Sequence, residues 1–238
     1  GEDVFIDALW AHAPEHGAHL LLAEFARTYI DPNRHVGDVD LAMIEGEWPH
    51  AYEPSGKARI GKSLIWRTLD DGRPIYNRKL SVDEVHQRIQ RYALPYQAQL
   101  QKLINEHHQQ FGVCYHINCH SMSAVSGKMG EGGAGIARAD VVLGDRDGTT
   151  CSAEFTHLVK DFMQQCGYEV KINDPFKGVE LVRAFSNPSQ GKHSLQIELN
   201  KRLYTDASGR DKGPGYDKLN QDLIALTALL ADFSKHKI

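Results

Sequence analysis

Ser194-Leu195-Gln196-Ile197-Glu198-Leu199-Asn200 alternates without a break. In an extended strand Leu195, Ile197 and Leu199 share one face, and Gln196, Glu198 and Asn200 the other. This is the pattern of a central strand resting its apolar face on a core. A carboxylate in the middle of such a strand is costly to bury without a partner. Glu198 is therefore either ion-paired for structure or held as a general base with a raised pKa. A second strand, Tyr115-His116-Ile117-Asn118-Cys119-His120, puts His116, Asn118 and His120 on one face. His116 and His120 stand roughly 13 Å apart at about 3.3 Å per residue, too far to hold one ion together. His120, at the strand end where α/β sites gather, is the candidate metal ligand; a hydrogen-bonded strand-end histidine is the alternative.

Outward from these strands, helical and extended patterns alternate. Asp3 to His16 predicts a helix with Asp3 as N-cap, and Ala18 to Ala23 a run of strand length. Ser81 opens a long helix, with Glu84 completing a capping box, Pro95 kinking or splitting it and Gly112 ending it. Further strands are expected at 140–143, 169–172 and 180–185, and helices at 152–166 and 216–235. Five glycines crowd the loop from Gly127 to Gly135. The order implies one α/β domain over residues 1–238, with a mixed, largely parallel central sheet and helices on both faces. An α/β domain seldom opens on a helix, so an N-terminal strand is expected to be absent from this chain.

The 238 residues, 41% hydrophobic and 24% charged, suffice for one sizeable core. A net charge of −4 offers no basic field to nucleic acid, and no apolar run reaches the length of a membrane span. Cys114, Cys119, Cys151 and Cys166 lack CxxC spacing, which reads as reduced thiols in a cytoplasmic protein.

Gly56 to Ser63 reads G-K-A-R-I-G-K-S, a formal P-loop match. A P-loop needs an apolar strand before it and a helix after it, and neither flank supplies one. The match is set aside as chance. Arg27 to Arg34 gathers Arg27, Asp31, Asn33 and Arg34, either a carboxylate grip or a solvated loop. Arg183 is a further cation, or an ordinary exposed charge.

Together these segments resemble the N-formylglutamate amidohydrolase (deformylase) family, which is similar in fold to the zinc carboxypeptidases (phosphorylase/hydrolase-like). The segments are R-T-Y-I-D-P-N-R at 27–34, N-C-H-S-M at 118–122, V-L-G-D-R-D-G at 142–148, N-D-P-F-K-G at 173–178 and H-S-L-Q-I-E-L-N-K-R-L-Y at 193–204. The resemblance implies zinc-dependent hydrolysis of N-formyl-L-glutamate, with His120 a zinc ligand and Glu198 the general base. It implies that Arg27 polarises the scissile carbonyl, that Asn33 and Arg34 hold a substrate carboxylate, and that Arg183 grips a second anionic group. The family's early His-Ser-Gly ligand segment is absent, and Asp3 or Glu2 is a weak candidate for an acidic ligand. Asn118 stands where the family has aspartate, Gln97 where histidine is frequent and Ser186 where glycine is usual. The rival readings are a zinc amidohydrolase acting on another N-acyl amino acid or small peptide, and a non-catalytic binder of an acidic metabolite. The expected partner is a small-molecule substrate.

Overall fold

The structure, a computed structural model, describes residues 2–128 and 133–237; Gly130 and Gly132 of the glycine-rich loop lie outside them. A short parallel pair, β1 (Ile44–Glu45) with β2 (Leu80–Ser81), stands apart from a four-stranded sheet. That sheet comprises β3 (Cys114–Met122), β4 (Val141–Gly144), β5 (Val170–Ile172) and β6 (Lys192–Asn200), in the order β3-β6-β4-β5. β3 and β6 are parallel and in step over nine residues, β4 and β5 are parallel, and β4 runs antiparallel to β6. The sheet is therefore mixed and mostly parallel, with β6 inside it.

The apolar face forms the main core. Leu195, Ile197 and Leu199 of β6 and Val141 and Leu143 of β4 pack on α4 (Ala153–Gln165) and α6 (Tyr216–Lys235). Phe155, Val159 and Met163 recur every fourth residue along α4, and Ser152 caps it by accepting from the Phe155 amide at 3.3 Å. α1 (Ile6–Leu9) adds Ile6 and Leu9 to the same cluster. The opposite face is covered by α5 (Glu180–Ala184), which packs on β3 and β6, and by Leu100 and Ile104 of α3 (Leu94–Phe111) beside Cys114 and Leu181.

The long helix is α2 (Val82–Arg88), one π-turn (Ile89–Ala93) and α3. Pro95 lacks an amide hydrogen, so the widened turn falls where the α ladder must lose a bond. Ser81 accepts from the Glu84 amide at 3.2 Å, but the Glu84 carboxylate turns to Arg78 and Arg88, leaving half of the expected capping box.

Three expectations are corrected. The expected strand at 180–185 is instead the helix α5 (Glu180–Ala184) with Phe185 as its C-cap; Leu181, Val182 and Phe185 fit a helical stripe as well as an extended one, and the Arg183 amide bonds back to Val179 O at 3.1 Å. Residues 18–23 form no regular element and enter no ladder. The opening helix shortens to Ile6–Leu9, followed by a 3-10 turn at Ala13–His16 with Pro14 at its start. Asp3 is not its cap. Phe5 takes that position in a left-handed conformation, and the Asp3 carboxylate leaves for the end of β3.

Two of the quoted motifs brace one another. Asn173 Nδ2 donates to Asp145 Oδ1 at 2.7 Å, and the Asp145 amide donates to Asn173 Oδ1 at 3.1 Å. A side chain at Gly144 would stand 2.7 Å from the Lys177 carbon and the Gly178 nitrogen, so glycine alone allows the second loop so close. The loop then lays Phe176 over Met122, Ala139 and Val142.

Candidate active site

Parallel register sets His120 beside Glu198 at the C-terminal ends of β3 and β6, with Asn118 beside Gln196 and His116 beside Ser194. His120 Nδ1 lies 3.1 Å from Asp3 Oδ2, and Nε2 lies 2.9 Å from Asn118 Oδ1 and 2.8 Å from Asn33 Nδ2. Asp3 also accepts from the Ser121 amide at 2.7 Å and from Arg27 Nη1 at 3.1 Å. Burial pushes the Asp3 carboxyl upwards, but the charges of His120 and Arg27 outweigh it and hold the group well below the usual carboxylate range.

Asp31 is the hub of the next layer. Fully buried, it accepts from Arg27 Nε at 3.0 Å, Trp66 Nε1 at 3.2 Å and the Asn33 amide at 3.0 Å, with Arg34 Nη2 at 3.6 Å. Arg34 Nε donates to Lys62 O and Nη1 to Asn33 O, each at 3.0 Å. Asn33 Oδ1 accepts from the Leu181 amide at 2.9 Å, which ties the arginine-bearing loop to α5. The long helix holds the loop from outside: Arg88 Nη1 donates to Tyr29 O at 3.0 Å, and Gln97 Nε2 to Pro32 O at 2.9 Å and Arg34 O at 3.0 Å.

Glu198 accepts from Gln196 Nε2 at 3.0 Å. Burial raises its pKa to about 7; the His120 charge opposes that and Asp3 adds to it. A carboxyl poised near neutrality in a cluster of fixed charges suits proton transfer. His116, by contrast, is bonded to Ser194 Oγ at 2.7 Å, and burial pushes it down to about 4, so it is a neutral partner of that serine. The cluster opens into a cavity of about 970 Å³ along β3, reaching from Asp3, Arg27 and His120 past Tyr96 to His107. On that side β3 has no partner strand among the described residues.

Of the residues singled out in the sequence, the fold brings together Asp3, Arg27, Asn33, Arg34, His120 and Glu198. It does not bring Arg183, which lies half-exposed on α5 in a two-point pair with Glu180 at 2.9 and 3.0 Å. Residues that sequence reading missed are Asp31 as the hub, Trp66, Gln196 and Tyr204. The Tyr204 phenol is fully buried, and burial raises it to about 12. Arg138, stacked 4.6 Å over the Phe176 ring, was also missed, although its charge acts on Glu198. The only signal for Arg138 was its place after the glycine-rich loop, and Trp66 carried none.

The donors bear on the zinc ion that the family resemblance implies. Asp3 Oδ2 and His120 Nδ1 are the right atom types; Nε2 meets both the Asn118 Oδ1 acceptor and the Asn33 Nδ2 donor, so its partners accommodate the ring proton on either nitrogen. The 3.1 Å between Asp3 Oδ2 and His120 Nδ1 is spanned by a proton on Nδ1 or, with the proton on Nε2, by a cation. Among the described residues no group of three His, Cys, Asp or Glu side chains converges on one point. The pair fits two positions of a metal site.

The family model described as N-formylglutamate amidohydrolase matches residues 1–205. N-formylglutamate deformylase of Pseudomonas putida is 25% identical over 207 residues, 86% of this chain and 70% of that protein. Its Pseudomonas aeruginosa counterpart is 25% identical over 209 residues, 86% and 71% of the two chains. The crystal structure of N-formylglutamate amidohydrolase from Ralstonia eutropha JMP134 superposes with a TM-score of 0.93 at 42% identity, covering 100% of this chain and 85% of the other. A gene product of Agrobacterium tumefaciens shares the fold at a TM-score of 0.60 and 13% identity, covering 98% and 75%.

Proposed function

The chain belongs to the N-formylglutamate amidohydrolase family, and on that premise we propose that it hydrolyses the amide bond of N-formyl-L-glutamate to formate and L-glutamate. The observation that carries the reading is the juxtaposition of Glu198, with its pKa near 7, and the Asp3–Arg27–His120 cluster. Glu198 accepts the proton of the attacking water and returns it to the departing nitrogen. Arg27, fixed between Asp3 and Asp31, is a preorganised cation for the oxygen that gains charge, an arrangement worth several kcal/mol in a desolvated site. Asn33 and Arg34 take the α-carboxylate. His120 and Asp3 would hold the zinc ion. When bound, zinc supplies Lewis-acid polarisation of a carbonyl oxygen and an acidified water.

The deciding experiment measures formate release from N-formyl-L-glutamate, with N-acetyl-L-glutamate and a γ-carboxylated dipeptide alongside. The formyl substrate should lead by about 10–200-fold in kcat/KM, the discrimination that one extra methyl group allows. Parity among the three would move the assignment to a general N-acyl amino acid hydrolase. Zinc is tested separately: His120→Ala should lose most of the metal that the wild type retains on dialysis, because one of two identified donors is gone. Equal zinc content in the two proteins removes His120 as a ligand.

Arg34→Lys gives a further check. Lysine keeps the charge but cannot span Lys62 O, Asn33 O and the Asp31 side in one planar fork. KM for N-formyl-L-glutamate should rise about tenfold or more, as expected for a lost bidentate carboxylate contact of about 1.5–3 kcal/mol. An unchanged KM would take Arg34 out of the substrate site.

A further inference from the structure

The G-K-A-R-I-G-K-S segment binds no phosphate by its fold: Gly56–Ile60 is a 3-10 turn, with no strand feeding it and no α-helix leaving it. Its last lysine nevertheless ends beside the active-site cations. Lys62 Nζ stands 4.9 Å and Arg27 Cζ 5.5 Å from the centroid of the same Trp66 ring, so the two cations are no more than about 10 Å apart. The Lys62 carbonyl accepts from Arg34 Nε at 3.0 Å, which ties the Lys62 main chain to the Arg34 guanidinium. The Lys62 side chain is 13% exposed, and its partner Asp70, on the turn at residues 69–72, is 47% exposed.

Resting on the deformylase reading, we propose that Lys62 receives the distal carboxylate of the substrate and so selects acidic N-formyl amino acids, with Asp70 holding that place until substrate displaces it. The charge balance supports this. Arg27 is shared by Asp3 and Asp31, and Arg34 faces Asp31, so the inner layer carries two arginines against two carboxylates. That layer is already neutral, so the two negative charges of a dicarboxylate substrate call for a cation beyond it. The carboxyl carbons of an extended glutamate are only about 5 Å apart, four bonds. The cation for the second carboxylate must therefore stand close to the first, and Lys62 Nζ shares the Trp66 ring with Arg27. Arg183 bonds to Glu180 on the exposed side of α5 and to no residue of this cluster. An ammonium seated on an indole keeps its hydrogens for a carboxylate, and Asp70, half-exposed on its turn, can give way to solvent when a substrate carboxylate takes its place on Lys62.

The test compares N-formyl-L-glutamate with its neutral isostere N-formyl-L-glutamine. In Lys62→Met, which keeps the apolar stem over Trp66, the ratio of kcat/KM values should fall 10–100-fold, chiefly through KM for the glutamate substrate. In Asp70→Asn, where the internal competitor is neutral, that KM should drop. A ratio unchanged in Lys62→Met, an equal loss on both substrates, a raised KM in Asp70→Asn, or a collapse of the ratio in Arg183→Met alone each overturns the assignment. If Lys62→Met fails to fold, Asp70→Asn and Lys62→Gln carry the comparison. If the wild type releases formate from neither substrate, the deformylase reading falls by itself. Lys62 is then judged by calorimetry: wild type should bind glutarate at least tenfold more tightly than pentanoate, and loss of that preference in Lys62→Met supports the role while its persistence refutes it.

Discussion

Glu198→Gln should lower kcat by 10²–10⁴-fold, about 3–5 kcal/mol of barrier, and at the same time make the protein harder to unfold above neutral pH. Glutamine keeps the shape and the oxygen that accepts from Gln196 Nε2, and loses only the capacity to take a proton. The stability change follows from the raised pKa. In the unfolded chain this carboxyl ionises near 4.5, and in the fold near 7, with burial as the main cause. Between those values the folded protein binds more proton than the unfolded one, so its stability falls as pH rises through the window and stays reduced above it. Glutamine escapes that penalty, gaining on the order of 1–3 kcal/mol at pH 8 and almost nothing at pH 4. Denaturant titrations at the two pH values, beside a turnover assay, separate the roles. A variant that keeps its kcat and unfolds early at pH 8 would falsify the base assignment and make Glu198 a structural ion partner.

Asp31→Asn should lower the unfolding free energy by about 3–5 kcal/mol at pH 7, because Arg27 and Arg34 are then left desolvated around a neutral amide. Burial alone would raise the Asp31 pKa, but the two guanidiniums outweigh it and depress it. A depressed folded pKa contributes stability that is present above the ordinary carboxylate range and is lost as pH falls through the folded value. The gap between wild type and variant should thus be full at pH 7 and shrink in acid. Turnover should suffer as well, since Arg27 loses one of the two carboxylates that aim it. A loss below about 1 kcal/mol at neutral pH would mean that the arginines find other partners and that Asp31 is no hub.

What the sequence disclosed was governed by local period. The unbroken alternation around Glu198 marked β6 and its apolar face, and the stripe of Phe155, Val159 and Met163 marked α4. Five-residue segments carry too little period to decide, which is why 180–185 read as a strand and became a helix. The site was legible where residues share a strand or a short loop. It was not where three-dimensional assembly decides: Asp3 satisfies a cap pattern, yet its carboxylate serves Ser121, 118 residues away. Asp31 looked like one polar residue among four, and only burial shows it carrying the other three. Lys62 was obscured by a phosphate-loop pattern that its neighbours cannot support.

The π-turn at Ile89–Ala93 sets the rotational phase of the long helix. Arg88 and Gln97 both reach the segment at residues 29–34, and they are nine positions apart. At about 100° per residue, nine steps of a regular α-helix would put the two side chains on opposite sides. One extra residue in a wide turn removes about 100° of that rotation and leaves about 80° between them, so both fall on one flank. The helix therefore grips the arginine-bearing loop at its two ends because its winding slips by one residue between the grips. The angular position of Asn33 and Arg34 against β3 is inherited from that slip.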